Sequence, residues 1–257
     1  MLGTLKVYSP VPRRWSEEEV GYLATVAGQV GLALENARLY ESLRRYYLSA
    51  LQALTAALEA KDTYTRGHSV RVARLAQACA RVLGLSDEEQ EQLYLAALLH
   101  DIGKIGVPES ILLKHGPLEP AEWDEVKSHP VVGVRIVEPA GFPPQVVAAI
   151  RHHHENYGGG GYPDGLAGEE IPLLARIIGV ADAYDAMTSD RPYRRPRTAE
   201  EAKEELRRKA GRQFDPLVVE AFLRIPAPEL EEIGGGGGRY PGYPFHRGFV
   251  PFGSLTE

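Results

Sequence analysis

Hydrophobic positions follow a helical period along most of the chain. Between Ser16 and about Lys61 the apolar residues recur at steps of four or three, without an interrupting proline. These positions are Leu39, Leu43, Tyr46, Ala50, Leu54 and Leu58. The spacing predicts one long helix, and Ser16 with Glu19 three residues later forms a capping-box pattern at its start. Its apolar stripe suits either a coiled-coil seam or a face packed on the chain's own core, and both interpretations stay open.

Beyond residue 48 the same period returns in shorter stretches separated by polar or Gly/Pro-rich loops. We predict helices over 69–84, 87–100, 121–127, 130–138, 144–153, 173–188, 199–210 and 216–224. Ser86 is followed by acidic residues, which is typical of an N-cap and a favourable first turn. Period-two alternation is confined to GTLKVYS near the N-terminus and predicts a short leading strand. The expected fold class is therefore all-α, with a long N-terminal linker helix and this one strand.

Composition and charge narrow the classes of function. A hydrophobic fraction of 44% is that of an ordinary folded globular chain. The formal charge of −6 argues against polymeric nucleic acid as a partner. An anionic small substrate would then need local cations, either metal ions or a short arginine cluster.

Cysteine usage and apolar run length indicate the compartment. Cys79 is the one cysteine, so no intramolecular disulfide can form, and a reducing cytoplasm is the expected location. We expect Cys79 itself to be a small core residue. No apolar run reaches the ~20 residues of a membrane-spanning helix, and the N-terminus lacks the pattern of a signal peptide.

Histidine and aspartate residues mark the candidate chemistry. Several histidines fall in segments with acidic residues: His68, His100–Asp101, His129, His153–His154 and Asp182. A single buried His–Asp pair more often forms an ordinary hydrogen bond, but this ordered series weakens that explanation. Nitrogen and carboxylate donors suit borderline divalent or ferrous ions, and a carboxylate can bridge two of them. Two such ions about 3.5–4 Å apart would activate water and neutralise a phosphate.

The ordered motifs resemble the HD-GYP branch of the HD phosphohydrolase superfamily. The matching segments are DTYTRGHSVRVARLA, LLHDIGKIGVP, SHPVVGVRIV, RHHHENYGGGGYPDGLAGEEIPLLARIIGVADAYDAMTSDRPYR and GRQFDPLVVEAF, about 175 residues in all. The resemblance implies a multi-helix HD-type domain with two divalent metal ions. Iron or manganese is favoured by the family likeness, while zinc, nickel and magnesium are compatible with the donors.

The resemblance also implies the ligands of each ion. One ion would be held by His68, His100, Asp101 and Asp182. The second would be held by His129, His153 and His154, with Asp101 bridging both.

This chain departs from the family's pattern at two positions. Gly158 stands where an aspartate is usual, which predicts altered loop packing, and Tyr64 replaces a glutamate that helps some members hold a third ion. Two ions, not three, are therefore expected.

Further residues receive roles from the same resemblance. Lys104 would lie beside the scissile phosphate and stabilise developing charge or protonate the leaving oxygen, making it, with Asp101, a catalytic residue. Tyr162, Arg191 and Arg194 would bind substrate, because arginine suits both bidentate hydrogen bonding and stacking. The alternative for Lys104 is a solvated surface lysine, and without the resemblance the arginine run would be interpreted as a solvated loop.

Glu155 and Asp185 would support the ligands from outside the coordination shell. Asp185 lies one helical turn after Asp182 and therefore shares its helix face. An ordinary helix cap or surface charge is the alternative for Asp185.

Three regions are expected along the chain. Residues 1–47 resemble the C-terminal strand and helix of a GAF sensor domain, a match of about forty residues. Residues 48–232 form the HD-GYP domain, and residues 233–257 form a flexible Gly-rich tail. The N-terminal helix suggests a homodimer, and further signalling-protein partners are compatible with it.

The implied function is hydrolysis of cyclic di-GMP to linear pGpG, with a second cut to GMP allowed but not established. An HD-type hydrolase of another nucleotide or phosphoester shares the same ligands. A non-catalytic module that binds the dinucleotide or a partner protein is the second alternative, and it would not need a complete set of metal ligands.

Overall fold

The computed structural model describes residues 3–61, 67–114, 116–189 and 195–235. Within these ranges lie eleven α-helices. They are α1 Glu17–Lys61, α2 His68–Leu83, α3 Asp87–Leu99, α4 Glu109–Leu112, α5 Pro120–Lys127, α6 His129–Val137, α7 Pro144–His152, α8 Leu173–Thr188, α9 Ala199–Lys209, α10 Pro216–Leu223 and α11 Ala227–Gly234. Two 3₁₀ helices, Ile102–Gly106 and Gly168–Glu170, complete the regular structure.

The all-α expectation is confirmed, and each of the predicted shorter helices matches one observed helix to within one residue at either end. Both predicted N-terminal caps are also confirmed. Ser16 and Glu19 exchange two hydrogen bonds, of 2.8 and 3.2 Å. Ser86 and Glu89 form the equivalent capping box at α3. The short helices α4 and α11 are additional to the prediction.

The predicted leading strand is wrong. The described part of GTLKVYS, from residue 3, has no regular secondary structure. Period-two alternation indicates a strand only when another strand supplies the backbone partners of its ladder. The described ranges contain no strand that could do so. The predicted flexible tail, apart from residues 233–235, lies outside the described residues.

The chain divides into two compact units, Met1–Ala50 and Leu51–Glu257. In the first unit, the α1 residues Leu39, Leu43 and Tyr46 expose 62%, 59% and 74% of their surface, so the apolar stripe is not covered within the described chain. Among the described helices, none combines the length and the apolar character needed to cross a membrane.

The second unit contains the hydrophobic core. Helix α2 lies against α3, α8, α10 and α11, and its Val72 and Cys79 are fully buried. The expectation that Cys79 is a core residue is thereby confirmed. The final turns of α1 belong to this unit, where Leu51 and Thr55 are buried. Burying one leucine side chain contributes about 1.5–3 kcal/mol to the stability of this end of α1.

Candidate metal centre

The candidate ligands lie mainly at helix ends, where the chain turns. His68 and His129 are the first residues of α2 and α6, and His100 and His153 follow directly on the last residues of α3 and α7. All four histidines are almost fully buried, as is Asp101, which precedes the 3₁₀ helix Ile102–Gly106. The apolar faces of these helices pack in the core, so their ends meet at one place.

A single glycine allows two of these ends to approach. A side-chain carbon on Gly103 would come within 1.9 Å of the carbonyl oxygen of His129, and within 2.5 Å of the backbone nitrogen of Gly133. No other residue fits, because both atoms belong to backbone that cannot rotate away. Gly103 therefore brings Asp101 and His129 together.

Three of the ligand histidines are oriented in the same way. The Nδ1 atoms of His100, His129 and His153 each lie 2.7 Å from the carbonyl oxygen three residues earlier in their own chain segment. A carbonyl accepts only, so Nδ1 carries the proton and donates it. The lone pair is then on Nε2, which is the form that binds metals.

His68 is oriented by a carboxylate instead. Its Nδ1 lies 2.7 Å from Oδ2 of Asp185, and its Nε2 lies 3.3 Å from Oδ1 of Asp182. Asp185 is held in turn by Arg71, whose Nε donates to Oδ1 at 2.6 Å. Asp182 and Asp185 lie one turn apart on α8, so that helix places one carboxylate on each side of the His68 ring.

The ligand atoms form two groups that share Asp101. One consists of Asp101, His129, His153 and His154, the other of His68, His100 and Asp101, and in each the ligand atoms lie within 4.8 Å of one another. Asp182 lies beside the His68/His100/Asp101 group through its contact with His68. Asp101 directs one oxygen to each group: Oδ2 lies 3.5 Å from Nε2 of His100, and Oδ1 lies 3.3 Å from Nε2 of His129.

The donor arrangement fits a bound metal ion. Nε2 of His129 lies 3.2 Å from Nε2 of His153. Because both Nδ1 atoms carry the protons, two lone pairs face each other there, and an ion between them satisfies both. Two nitrogens bound to one ion at ~2.1 Å stand about 3.0–3.5 Å apart, which is the separation found.

Electrostatics differ across the centre. Burial lowers the pKa of His129, lowers that of His153 well below its usual value, and lowers that of His154 to about 4, so these rings are neutral at pH 7. Burial also lowers the pKa of His68, but hydrogen bonds with Asp182 and Asp185 outweigh it and raise the pKa to about 10. Burial would raise the pKa of Asp101, yet Lys104 and the histidines hold it well below its usual value.

Cationic and aromatic side chains border the ligands. Nζ of Lys104 lies 2.7 Å from Oδ2 of Asp101. The ring of Tyr162 stacks on that of His154, with 4.8 Å between centroids and 29° between planes. The Nζ atom of Lys127 lies 6.0 Å from the Tyr162 ring centroid. Two of the predicted substrate-binding residues, Lys104 and Tyr162, are thus beside the ligands.

The loop that carries Tyr162 is held by hydrogen bonds to Glu155 and by contacts of Asp164, and the sequence pointed only to Glu155. Oε1 of Glu155 accepts hydrogen bonds from the backbone N–H groups of Asp164 and Gly165, at 2.7 and 3.0 Å. The Asp164 carboxylate accepts two bonds from Arg151, at 2.7 and 2.8 Å, and contacts Nε2 of His152 at 2.9 Å. Only Glu155 was identified from sequence, because no local spacing signals the Asp164 contacts.

Three of the positions discussed from sequence, Tyr64, Arg191 and Arg194, lie outside the described residues. Gly158 packs closely: its N–H donates to the carbonyl of Arg212 at 2.7 Å, and a side-chain carbon there would lie 3.0 Å from that oxygen. An aspartate at residue 158 would therefore require this loop to shift.

Known proteins resemble this chain over about three quarters of its length. A family model described as HD domain matches residues 52–218. The cyclic di-GMP phosphodiesterase response regulator RpfG of Xanthomonas campestris is 44% identical over 188 residues, covering 72% of this chain and 49% of that protein. The 3′3′-cGAMP-specific phosphodiesterase 2 of Vibrio cholerae is 38% identical over 197 residues, covering 76% and 38%. The chain thus spans about half of these relatives' length, or less.

A solved structure has the same fold. The crystal structure of a cyclic GMP-AMP-specific phosphodiesterase of V. cholerae aligns with a TM-score of 0.57 at 21% identity, covering 72% of this chain and 50% of that one. At this identity the likeness shows the fold alone.

Proposed function

The chain belongs to the HD domain family, and on that premise we propose that it is a metal-dependent phosphodiesterase that hydrolyses cyclic di-GMP to linear pGpG. The observation that carries the proposal is the pair of buried ligand groups sharing Asp101, with one carboxylate oxygen directed to each. The name of the Xanthomonas relative supports the substrate. The GYP sequence at residues 161–163, next to the ligands, supports the HD-GYP subtype.

Two divalent ions belong to the proposal. His68, His100, Asp101 and Asp182 would hold one, and His129, His153, His154 and Asp101 the other. When bound, such ions lower the pKa of a coordinated water and neutralise the phosphate. Iron or manganese is proposed from the family likeness, since imidazole and carboxylate donors accept several ions.

The chain's own side chains would act around that centre. Lys104 is 20% exposed and its Nζ contacts the bridging carboxylate, so it can face both a phosphate oxygen and a leaving oxygen. We assign it the stabilisation of developing charge and proton donation to that oxygen. Tyr162 would present its outer face to the substrate, because its inner face stacks on His154. Arg191 and Arg194 remain proposed substrate contacts.

The Vibrio relative favours one further candidate, another cyclic dinucleotide as substrate. Anaerobic incubation with ferrous or manganous ion, cyclic di-GMP and 3′3′-cGAMP side by side, with products separated by chromatography, tests both. We expect pGpG as the product from cyclic di-GMP, with any further cleavage to GMP being slower. The Asp101→Asn variant should form neither product. Faster cleavage of 3′3′-cGAMP would replace the proposed substrate. Tight binding of cyclic di-GMP without turnover in metal-loaded protein would favour a non-catalytic module.

Dimerisation through residues 30–60 is proposed from the exposed apolar stripe of α1. Two such helices would bury Leu39, Leu43 and Tyr46 against each other. Light scattering should give a dimer, and Leu43→Glu should give a monomer. A wild-type monomer at high protein concentration would contradict the proposal.

The remaining assignments rest on sequence. Residues 1–47 are proposed to be a GAF-like fragment with linker helix, residues 48–232 the HD-GYP domain, and residues 233–257 a flexible tail. A cytoplasmic location is proposed because the chain has one cysteine, Cys79.

A further inference from the structure

The last two turns of α1 make an unusual contact with the start of α2. Oε2 of Glu59 accepts a hydrogen bond from the backbone N–H of Gly67 at 2.7 Å, and Oε1 accepts one from the N–H of Ser69 at 2.8 Å. These two amides flank His68. A side chain from a different helix thus fixes the backbone on both sides of a candidate ligand.

The start of α2 requires such a partner. Gly67 occupies the N-cap position in a left-handed conformation, with φ of 71°, and has no side chain to cap the helix. The first amides of a helix have no partner inside it, and a carboxylate there also interacts favourably with the helix dipole. The Glu59 carboxylate supplies from α1 what an N-cap residue normally supplies locally.

The same part of α1 also contacts the other element of this ligand group. Nζ of Lys61 donates to the carbonyl oxygens of Ile105 and Val107, at 3.3 and 3.0 Å. These carbonyls lie at the end of the 3₁₀ helix that begins directly after Asp101. The end of α1 therefore holds both chain segments that carry His68 and Asp101.

We propose that Glu59 is a positioning residue for His68, and that Glu59 and Lys61 make the end of α1 the element that sets the geometry of the His68/His100/Asp101 group. The inference depends on the proposed function only in taking His68 as a metal ligand. His129 and His153 do not share this arrangement, since each ring is fixed by a carbonyl of its own chain segment. Among the described residues, the Glu59 carboxylate contacts only the segment that carries His68, so its loss would act on the one ligand group that contains His68.

The test is a calorimetric titration, in which Mn²⁺ is added to the chelator-treated chain of residues 1–257. Glu59→Ala should weaken one of the two binding events by roughly 10–100-fold, as loss of an outer-shell partner does, and leave the other unchanged. Amide exchange at Gly67 and Ser69 should become faster in the same variant, whether or not the protein hydrolyses cyclic di-GMP.

The matched control is Thr198→Ala, which removes the side-chain oxygen that caps α9 by accepting from the Glu201 N–H at 3.2 Å. Helix α9 carries no candidate ligand, so this control should lower the melting temperature without changing Mn²⁺ affinity. Glu59→Gln, which keeps the side-chain shape, serves if the alanine variant does not fold.

Two results would overturn the proposal. The first is that both Glu59 variants bind Mn²⁺ with the affinities of the wild type, and that only their melting temperatures are lowered, as in the control. The other is wild-type protein that binds no Mn²⁺. Absence of phosphodiesterase activity with two intact binding events would contradict the proposed function and leave this inference standing.

Discussion

The two ligand groups of the centre hold their residues by different means. In the first, His68, His100 and Asp101, the His68 ring lies between the carboxylates of Asp182 and Asp185. In the second, Asp101 is the one carboxylate that is grouped with His129, His153 and His154 among the described residues. The first group is rich in negative charge, whereas the second is built from neutral rings.

The difference has consequences for loading. An ion entering the first group is attracted by charge but must displace the proton that the carboxylates hold on His68, whose pKa is raised to about 10. An ion entering the second group finds rings that are already neutral, because burial lowers the pKa of His154 to about 4. We therefore expect two binding events of unequal affinity and unequal proton release.

Asp101→Ala should have the largest effect, because it removes the one residue common to both groups. We expect hydrolysis to fall by on the order of a thousandfold or more, and bound metal to fall below two ions per chain. Steady-state kinetics with elemental analysis of the protein provides both numbers.

Asp124→Ala on the exposed surface of α5 is the control and should behave as wild type. If Asp101→Ala kept two ions and its activity, the shared-carboxylate arrangement would be wrong, and the two groups would be independent sites.

Asp185→Asn should distinguish the groups, since only the first has a ligand oriented by a carboxylate. Replacing the charged acceptor at Nδ1 of His68 by a neutral amide should lower metal affinity or activity by roughly 10–100-fold. Calorimetry should show one weakened event. Equal weakening of both events would mean that Asp185 acts on overall stability and not through His68.

Metal removal should destabilise the fold to a smaller, measurable extent. One ion at 100 times its Kd stabilises by ≈ 2.7 kcal/mol, and each kcal/mol shifts Tm by about 2–4 °C at this chain length, so chelation should lower Tm by about 5–10 °C for one ion and by about twice that for both. If the groups differ in affinity as argued, one equivalent of metal should restore more than half of that shift. If Tm instead rose strictly linearly with added metal, the two groups would not differ in affinity.

Much of this arrangement follows from local sequence. Helix ends are local signals, and the candidate ligands of both groups could be named before the fold was known, from the ordered His/Asp motifs and their resemblance to the HD-GYP family. Contacts such as that of Asp164 with Arg151, or of Glu59 with the start of α2, depend on which elements the core brings together. No spacing reports them. The leading strand failed for the same reason, because alternation in one segment does not show whether a partner strand exists.

Acid should loosen the loop that covers the second group, and this is the smallest of the effects that we predict. Asp164 anchors the loop that stacks Tyr162 on His154, and its hydrogen bonds with Arg151 lower its pKa to about 2 from an ordinary 3.8. A lowered carboxyl pKa stabilises the folded loop fully above about 4, and that contribution is lost as the pH falls through 2. We expect the Gly165 amide to lose exchange protection over this window, after correction for intrinsic exchange.

Because the Asp164 side chain is 34% exposed, solvent screens the pair and the change should be small. In Asp164→Asn the protection should already be reduced at pH 5. The amides of Val72 and Ala76, in the buried interior of α2, donate to backbone carbonyls and serve as the internal reference. If they lost protection together with Gly165, acid would be opening the whole domain, and the second group would have no separate surface anchor.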